Sequence, residues 1–316
     1  MDNFLKKTKA VVIGHAVADA LGVPVEFRSR EELDQNPVTD MLEYGTHHMP
    51  KGAWSDDTSM SLCALDSLAN GVDLTDVMDK FCLWYYEEKY TPTGVMFDIG
   101  YTCKSAIVDY YIYKQPIEAC APDDEQSNGN GSLMRIHPFS LYLYKTDMPI
   151  EEKIEIIHKA SALTHAHERS KLACGIYTFV LWSLLDSPSP RSVSAGLNRA
   201  KKFYKDSIEL SHYQRVLGFA DLQFAQATPR EEIVSGGYVV TSLEAALWCL
   251  LTTKTYEECV IKAVNLGRDT DTVAAIAGGL AGAMYGYDTI PQRWRNDLIN
   301  SAWIEELCSN AFSKKQ

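Results

Sequence analysis

Positive charge is what this 316-residue chain is short of: 30 lysines and arginines face 42 aspartates and glutamates, for a formal net charge of −12. Binding to nucleic acid or to an anionic membrane needs clustered lysine and arginine, so neither is an expected partner. Paired cysteines are missing as well. Cys63, Cys82, Cys103, Cys120, Cys174, Cys249, Cys259 and Cys308 stand singly, with no CxxC spacing, which reads as reduced core residues of a cytoplasmic protein. No Pro-, Gly- or Ser-rich linker, low-complexity tract or solenoid-period repeat divides the chain, so residues 1–316 are expected to form one domain.

Long apolar runs are also scarce. Lys6, Lys7 and Lys9 before Ala10–Gly14 and Ala16-Val17-Ala18 imitate a leader peptide, but the run is short and His15 and Asp19 interrupt it, so a buried helix is expected. The Ala- and Gly-rich stretch Val273–Tyr285 falls short of the roughly 20 residues that span a bilayer. A nucleophile elbow, a P-loop and a GxGxxG turn are all absent.

What is present is helical periodicity. Met60, Cys63, Leu65 and Leu68 make one apolar stripe, and Val273, Ile276, Leu280 and Met284 make another. Similar patterns predict helices near Thr8–Leu21, Leu74–Tyr86, Ile99–Tyr113, Gly131–Tyr144, Ile150–Leu163 and Glu168–Leu185. Others follow near Ser192–Tyr204, Ser242–Leu251, Tyr256–Leu266 and Gln292–Leu307, which makes the fold all-α. Gly278, Gly279 and Gly282 sit inside one helix, each costing about 1 kcal/mol relative to alanine, so close helix approach in a crowded centre is expected there.

Two acidic clusters carry the chemistry. Ser55-Asp56-Asp57-Thr58 and Asp269-Thr270-Asp271-Thr272 each lead into an apolar helical pattern. Such residues also cap helices and favour the helix dipole, which would explain either cluster alone. Capping does not require adjacent carboxylates in one place and Asp-x-Asp-Thr in another, and four clustered carboxylates repel one another unless a cation neutralises them. Oxygen donors of this kind suit Mg²⁺, Mn²⁺ or Ca²⁺, and four aspartates suffice to bridge two ions.

Three further segments bear on a site. Ser127-Asn128-Gly129-Asn130-Gly131-Ser132 runs toward Leu133 as either an ordinary turn or a phosphate cradle at a helix N-terminus. Thr164-His165-Ala166-His167-Glu168 lacks the HExxH spacing of a zinc helix and reads as a polar connection with Thr164 or His165 near the site. Glu26 follows Gly22 and Pro24 on an expected loop, where a carboxylate could serve as general acid or base or simply face solvent.

These pieces occur in a telling order: GHAVADALGVPVEF from Gly14, WSDDTSM from Trp54, GNGSLMRIHP from Gly129, THAHERS from Thr164, SGGYVVTSLEAALW from Ser235 and GRDTDTVAAIAGGLAGAMYG from Gly267. From about Thr8 to Tyr287 the chain thereby resembles the ADP-ribosylglycohydrolase family, which includes ADP-ribosylarginine hydrolases and dinitrogenase reductase activating glycohydrolases. The resemblance implies an all-α orthogonal bundle around a binuclear site for two divalent cations, Mg²⁺ or Mn²⁺. It implies metal ligands at Ser55, Asp56, Asp57, Asp269, Asp271 and Thr272, and proton handling by Glu26 or by the metal-bound Asp57 and Asp271. It also implies substrate contacts from Asp98, from Asn128, Gly129, Asn130, Gly131 and Ser132, and from His165 and Tyr238.

The implied activity is metal-dependent removal of ADP-ribose from modified proteins, foremost from arginine. ADP-ribosylserine or another ADP-ribose conjugate, and a catalytically inactive ADP-ribose binder, are the alternatives. ADP-ribosylated protein is the implied substrate and ADP-ribose the product; no heptad seam signals assembly, so a monomer is expected. The chain departs from the family pattern at Ala18, where glycine commonly precedes the aspartate of the opening helix, and at Ser55, where threonine is usual. Neither departure removes a proposed charge or hydroxyl.

Overall fold

The computed structural model describes residues 3–312, and among these it contains sixteen α-helices and no β-strand. The first eight are α1 (Asn3–Gly22), α2 (Arg30–Gln35), α3 (Asp56–Leu68), α4 (Leu74–Glu87), α5 (Tyr101–Tyr111), α6 (His137–Tyr144), α7 (Ile150–Ala162) and α8 (Glu168–Asp186). The rest are α9 (Pro190–Phe203), α10 (Gln214–Gly218), α11 (Leu222–Ala227), α12 (Val239–Leu251), α13 (Tyr256–Val264), α14 (Thr270–Tyr285), α15 (Gln292–Asp297) and α16 (Ser301–Phe312). The eight cysteines are all free thiols, and all are buried.

The centre is the α1–α14 pair, which the glycines make possible. A Cβ on Gly282 would stand 2.0 Å from the Ala10 carbonyl oxygen, and one on Gly278 would stand 2.5 Å from that of Gly14. Any side chain there would force the helices apart, so the helix-propensity cost of glycine is offset by contact between backbones. Around α14 lie α8, α12 and α13 as well as α1. α1 has the length and apolar character of a membrane span, yet its whole apolar window is buried in this core.

The same close approach positions the chemistry. Thr270 Oγ1 donates to the Gly22 carbonyl oxygen at 2.8 Å, which ties the start of α14 to the end of α1. Glu26 follows four residues later, beyond a short 3-10 turn, Val23–Val25, and so is delivered beside the acidic start of α14. By contrast α9 is a surface helix that buries one stripe, Ser192, Val193, Gly196, Leu197 and Ala200, and turns its opposite face to solvent.

Two predicted helices differ from those observed. The helix expected over 131–144 begins only at His137, with residues 131–135 forming turns, because Pro138 is tolerated near a helix start but would break an interior hydrogen bond. The phosphate-cradle reading loses its helix N-terminus accordingly. The helix expected over 292–307 is split into α15 and α16 at Asn300, which has φ 58°, while the Ile299 amide donates to Gly52. The short helices α2, α10 and α11 went unpredicted, although Ser29 and Glu32 form a full capping box at the start of α2.

Candidate metal and substrate site

The first acidic cluster is held from behind by Asp19. Its carboxylate accepts from the Ser55 amide at 3.0 Å, Ser55 Oγ at 2.9 Å, the Thr58 amide at 3.1 Å and Thr58 Oγ1 at 2.6 Å. Ser55 is the N-cap of α3 and accepts from the Asp57 amide, so capping does explain the serine. The hydroxyl of Thr58 serves Asp19. Asp56 and Asp57 then occupy the first turn of α3 and are free to face the second cluster.

The second cluster is built differently. Asp269 stands at the N-cap position of α14 but makes no side-chain cap bond; its Oδ2 accepts from Asn130 Nδ2 at 2.7 Å. Capping therefore does not account for this carboxylate. Thr272 Oγ1 donates to Asp57 Oδ2 at 3.1 Å, a direct link between clusters 215 residues apart in the chain.

Where the clusters meet, two triads of carboxylates share a member. Oxygens of Asp19, Asp57 and Asp271 lie within 4.8 Å of one another, and so do those of Glu26, Asp269 and Asp271. Asp57 Oδ1 and Asp271 Oδ2 are buried without any hydrogen-bond partner, an arrangement that leaves each acceptor unsatisfied. Burial first, and then repulsion from neighbouring carboxylates, raises Asp56, Asp57 and Asp271 well above the usual carboxylate range. Asp19 is pushed up to about 6 by burial, against hydrogen bonds from Thr58 and Ser55. An all-oxygen donor set with orphaned, crowded carboxylates fits hard divalent cations, whose charge would reverse this penalty.

Against the triads opens a cleft of about 340 Å³ that no lysine or arginine among the described residues lines. Glu26, Asp56, Asp98 and Asp269 supply its acidic part, and Gly129, Asn130, Gly131 and His165 line it as well. Burial is the main reason that Glu26 is pushed up to about 7, opposed by a hydrogen bond with His47 and reinforced by Asp98 and Asp269. Burial likewise raises Asp98, which sits at φ 55°. Asn130 anchors the glycine loop through its bond to Asp269, and the Asn130 amide donates to the Gly237 carbonyl oxygen at 3.0 Å.

The residues expected at the site divide between the acidic centre, the cleft and the surroundings of both. Ser55, Asp57 and Asp271 belong to the acidic centre and do not line the cleft, while Thr272 does. Asn128 and Ser132 are buried behind the glycine loop, bonded to Ser170 Oγ and Ser161 Oγ respectively. Tyr238 is 38% exposed and forms an isolated bridge with Gly129, but does not line the cleft. Two participants were not singled out from sequence. Asp19 was visible as the one carboxylate among Ala16–Leu21; His47, whose ring nitrogen meets Glu26, gave no signal beyond being a histidine in a loop.

A family model for ADP-ribosylglycohydrolases matches residues 1–316. The chain belongs to the ADP-ribosylglycohydrolase family. As a member it is a glycosidase that acts on ADP-ribosyl bonds. Its relatives include the ADP-ribosylarginine hydrolase Tri1 of Serratia proteamaculans, 32% identical over 98% of this chain and 79% of the relative. The ADP-ribosyl-[dinitrogen reductase] glycohydrolase of Rhodospirillum rubrum is 31% identical over 90% of this chain and 88% of that one. A solved structure described as an ADP-ribosylglycohydrolase-related protein complex superposes with a TM-score of 0.81 at 30% identity, covering 99% of each chain, and shares the all-α fold.

Proposed function

We propose that this glycosidase cleaves the N-glycosidic bond of ADP-ribosylarginine in modified proteins and releases ADP-ribose, with two divalent cations, Mg²⁺ or Mn²⁺, at the acidic centre. The observation that carries the reading is the pair of carboxylate triads sharing Asp271 at a cleft that no lysine or arginine among the described residues lines. In this reading Asp56 and Asp57, with the Ser55 hydroxyl, hold the cations from α3, and Asp269, Asp271 and Thr272 hold them from α14. When bound, such cations polarise water and orient ribose hydroxyls.

The remaining work belongs to the chain's own groups. Hydrolysis forms a bond from water oxygen to the anomeric carbon as the carbon–nitrogen bond breaks through an oxocarbenium-like state, and the departing nitrogen takes a proton. Glu26, on the cleft wall beside Asp98, is the carboxyl we assign to that transfer. The acidic wall formed by Glu26, Asp56 and Asp98 suits a guanidinium leaving group, and the name of the Serratia relative points the same way. A diphosphate, meeting no lysine or arginine among the described residues of the cleft, is assigned to the backbone amides of Gly129 and Gly131 and to the His165 side chain, since the Asn130 donors are committed to Asp269, Ser242 and Gly237.

The test compares release of ADP-ribose from ADP-ribosylarginine and ADP-ribosylserine peptides by the wild type and by Asp271→Ala, in metal-replete buffer. Release from the arginine peptide that Asp271→Ala loses is the expected result. Full turnover by Asp271→Ala would end the metal mechanism, and release from the serine peptide alone would overturn the linkage.

A further inference from the structure

Arg135 is an anomaly of this core. Its side chain is fully buried, with 0% exposure, and no carboxylate pairs with it among the described residues. It packs over the Phe81 ring at 4.8 Å, donates from Nη1 to the Ala160 carbonyl oxygen at 3.2 Å, and donates from Nη2 to Thr164 Oγ1 at 2.8 Å. Burying an unpaired charge costs more than filling the same volume with leucine or methionine. Packing alone therefore does not explain an arginine here.

Its bond to Thr164 leads to the cleft. Thr164 Oγ1 lies 2.9 Å from His165 Nδ1, and the other edge of that imidazole lies under the glycine loop. A Cβ on Gly129 would stand 3.3 Å from His165 Nε2, and one on Gly131 would stand 3.0 Å from Cε1. Glycine at both positions leaves room for that edge, which lines the cleft, and no protein group is hydrogen-bonded to Nε2 among the described residues.

We propose that Arg135 and Thr164 are positioning residues that fix His165 in its neutral Nε2–H tautomer, so that Nε2–H donates to an oxygen of the ADP-ribosyl group. The part played by the ligand rests on the functional reading above. A guanidinium can only donate, so Thr164 Oγ1 must accept from Arg135. An oxygen polarised in this way is a stronger donor and a weaker acceptor, which favours the proposed arrangement, with its single proton directed at Nδ1 and the ring proton on Nε2. Burial first, and the Arg135 charge second, push His165 down to about 3, so the ring stays uncharged at neutral pH. Its neutral donor then meets a phosphate or ribose oxygen without forming an ion pair with the acidic wall.

The experiment is long-range ¹H–¹⁵N correlation of the Mg²⁺-saturated protein carrying ¹⁵N-histidine, with His165 identified by its loss in His165→Gln. Calorimetry with ADP-ribose and steady-state kinetics accompany it. The wild type is expected to show Nε2–H. Thr164→Val is expected to mix the tautomers, to weaken ADP-ribose about tenfold, the scale of one lost hydrogen bond, and to raise KM more than it lowers kcat. Thr164→Ser should restore all three readouts. An Nδ1–H wild type, or a folded Thr164→Val that binds ADP-ribose within twofold of wild type, would overturn the proposal. A wild type with Nε2–H that binds no ADP-ribose would overturn the functional reading while supporting the positioned ring.

Discussion

Two clusters of buried charge in this molecule are assembled on opposite terms. At Arg169, a buried residue near the start of α8 that is only 4% exposed, each guanidinium nitrogen has a partner: Nε meets Glu209 at 2.8 Å, Nη1 meets Glu125 at 2.7 Å and Nη2 meets His212 at 2.9 Å. Burial works against that charge, but the bonds to Glu125 and Glu209 outweigh it and Arg169 titrates higher than usual. At the acidic centre carboxylates crowd together with no lysine or arginine among the described residues there, and two of their oxygens have no hydrogen-bond partner among those residues. The first arrangement serves the fold. The second holds charges that the apoprotein alone does not compensate, which is the mark of a site built for a cation.

The sharpest way to break this contrast is to remove a central charge and read activity and stability separately. Asp57→Asn is expected to lower turnover about a thousandfold, on the order of 4 kcal/mol of barrier. In EDTA the same variant should melt later than wild type, by about 1–3 kcal/mol of stability, because one buried repelling charge is gone. Loss of activity accompanied by loss of stability in EDTA would show that Asp57 is an ordinary structural residue. Cations should act in the opposite direction: Mg²⁺ at a hundred times its dissociation constant is expected to add about 2.7 kcal/mol per bound ion to the wild type and little to Asp57→Asn.

Asp19 lies between the two regimes, since it is buried among carboxylates yet accepts from both Ser55 and Thr58. Asp19→Ala is expected to cost about 2–4 kcal/mol in denaturant unfolding, through stranded donors at the start of α3, and to reduce turnover as that turn relaxes. Arg169→Ala should cost about 1–3 kcal/mol while kcat/KM for ADP-ribosylarginine peptide stays within about twofold, the inverse of the Asp57 signature. The smallest effect belongs to Glu125→Gln, whose carboxylate is mostly in solvent; its melting temperature should match that of wild type. A large loss there would mean that the Arg169 cluster depends on its outermost member.

The same contrast explains what could be read from sequence. The acidic clusters were legible because Asp-Asp and Asp-x-Asp before apolar helices is a local pattern, and the all-α fold because periodicity is local too. The glycines of α14 predicted a close helix approach without naming its partner, and the partner is α1, which brings the end of one helix to the start of the other. What stayed hidden was tertiary. Nothing near Asp19 in sequence says that it will brace residues 36 and 39 positions later, and nothing near His47 says that it will meet Glu26. Pro138 and Asn300 were visible, but periodicity ran straight across both, so a turn was read as helix in one place and a break was missed in the other.

The central claim, that the acidic centre is a two-cation site that drives hydrolysis, is tested most directly by counting ions. Calorimetric titration of the EDTA-stripped and dialysed protein with Mn²⁺ and Mg²⁺, with ADP-ribose release followed on the same samples, is expected to give two ions per chain and activity that returns as they bind. Hydrolysis at the full rate by protein that binds no divalent cation at this centre would contradict it.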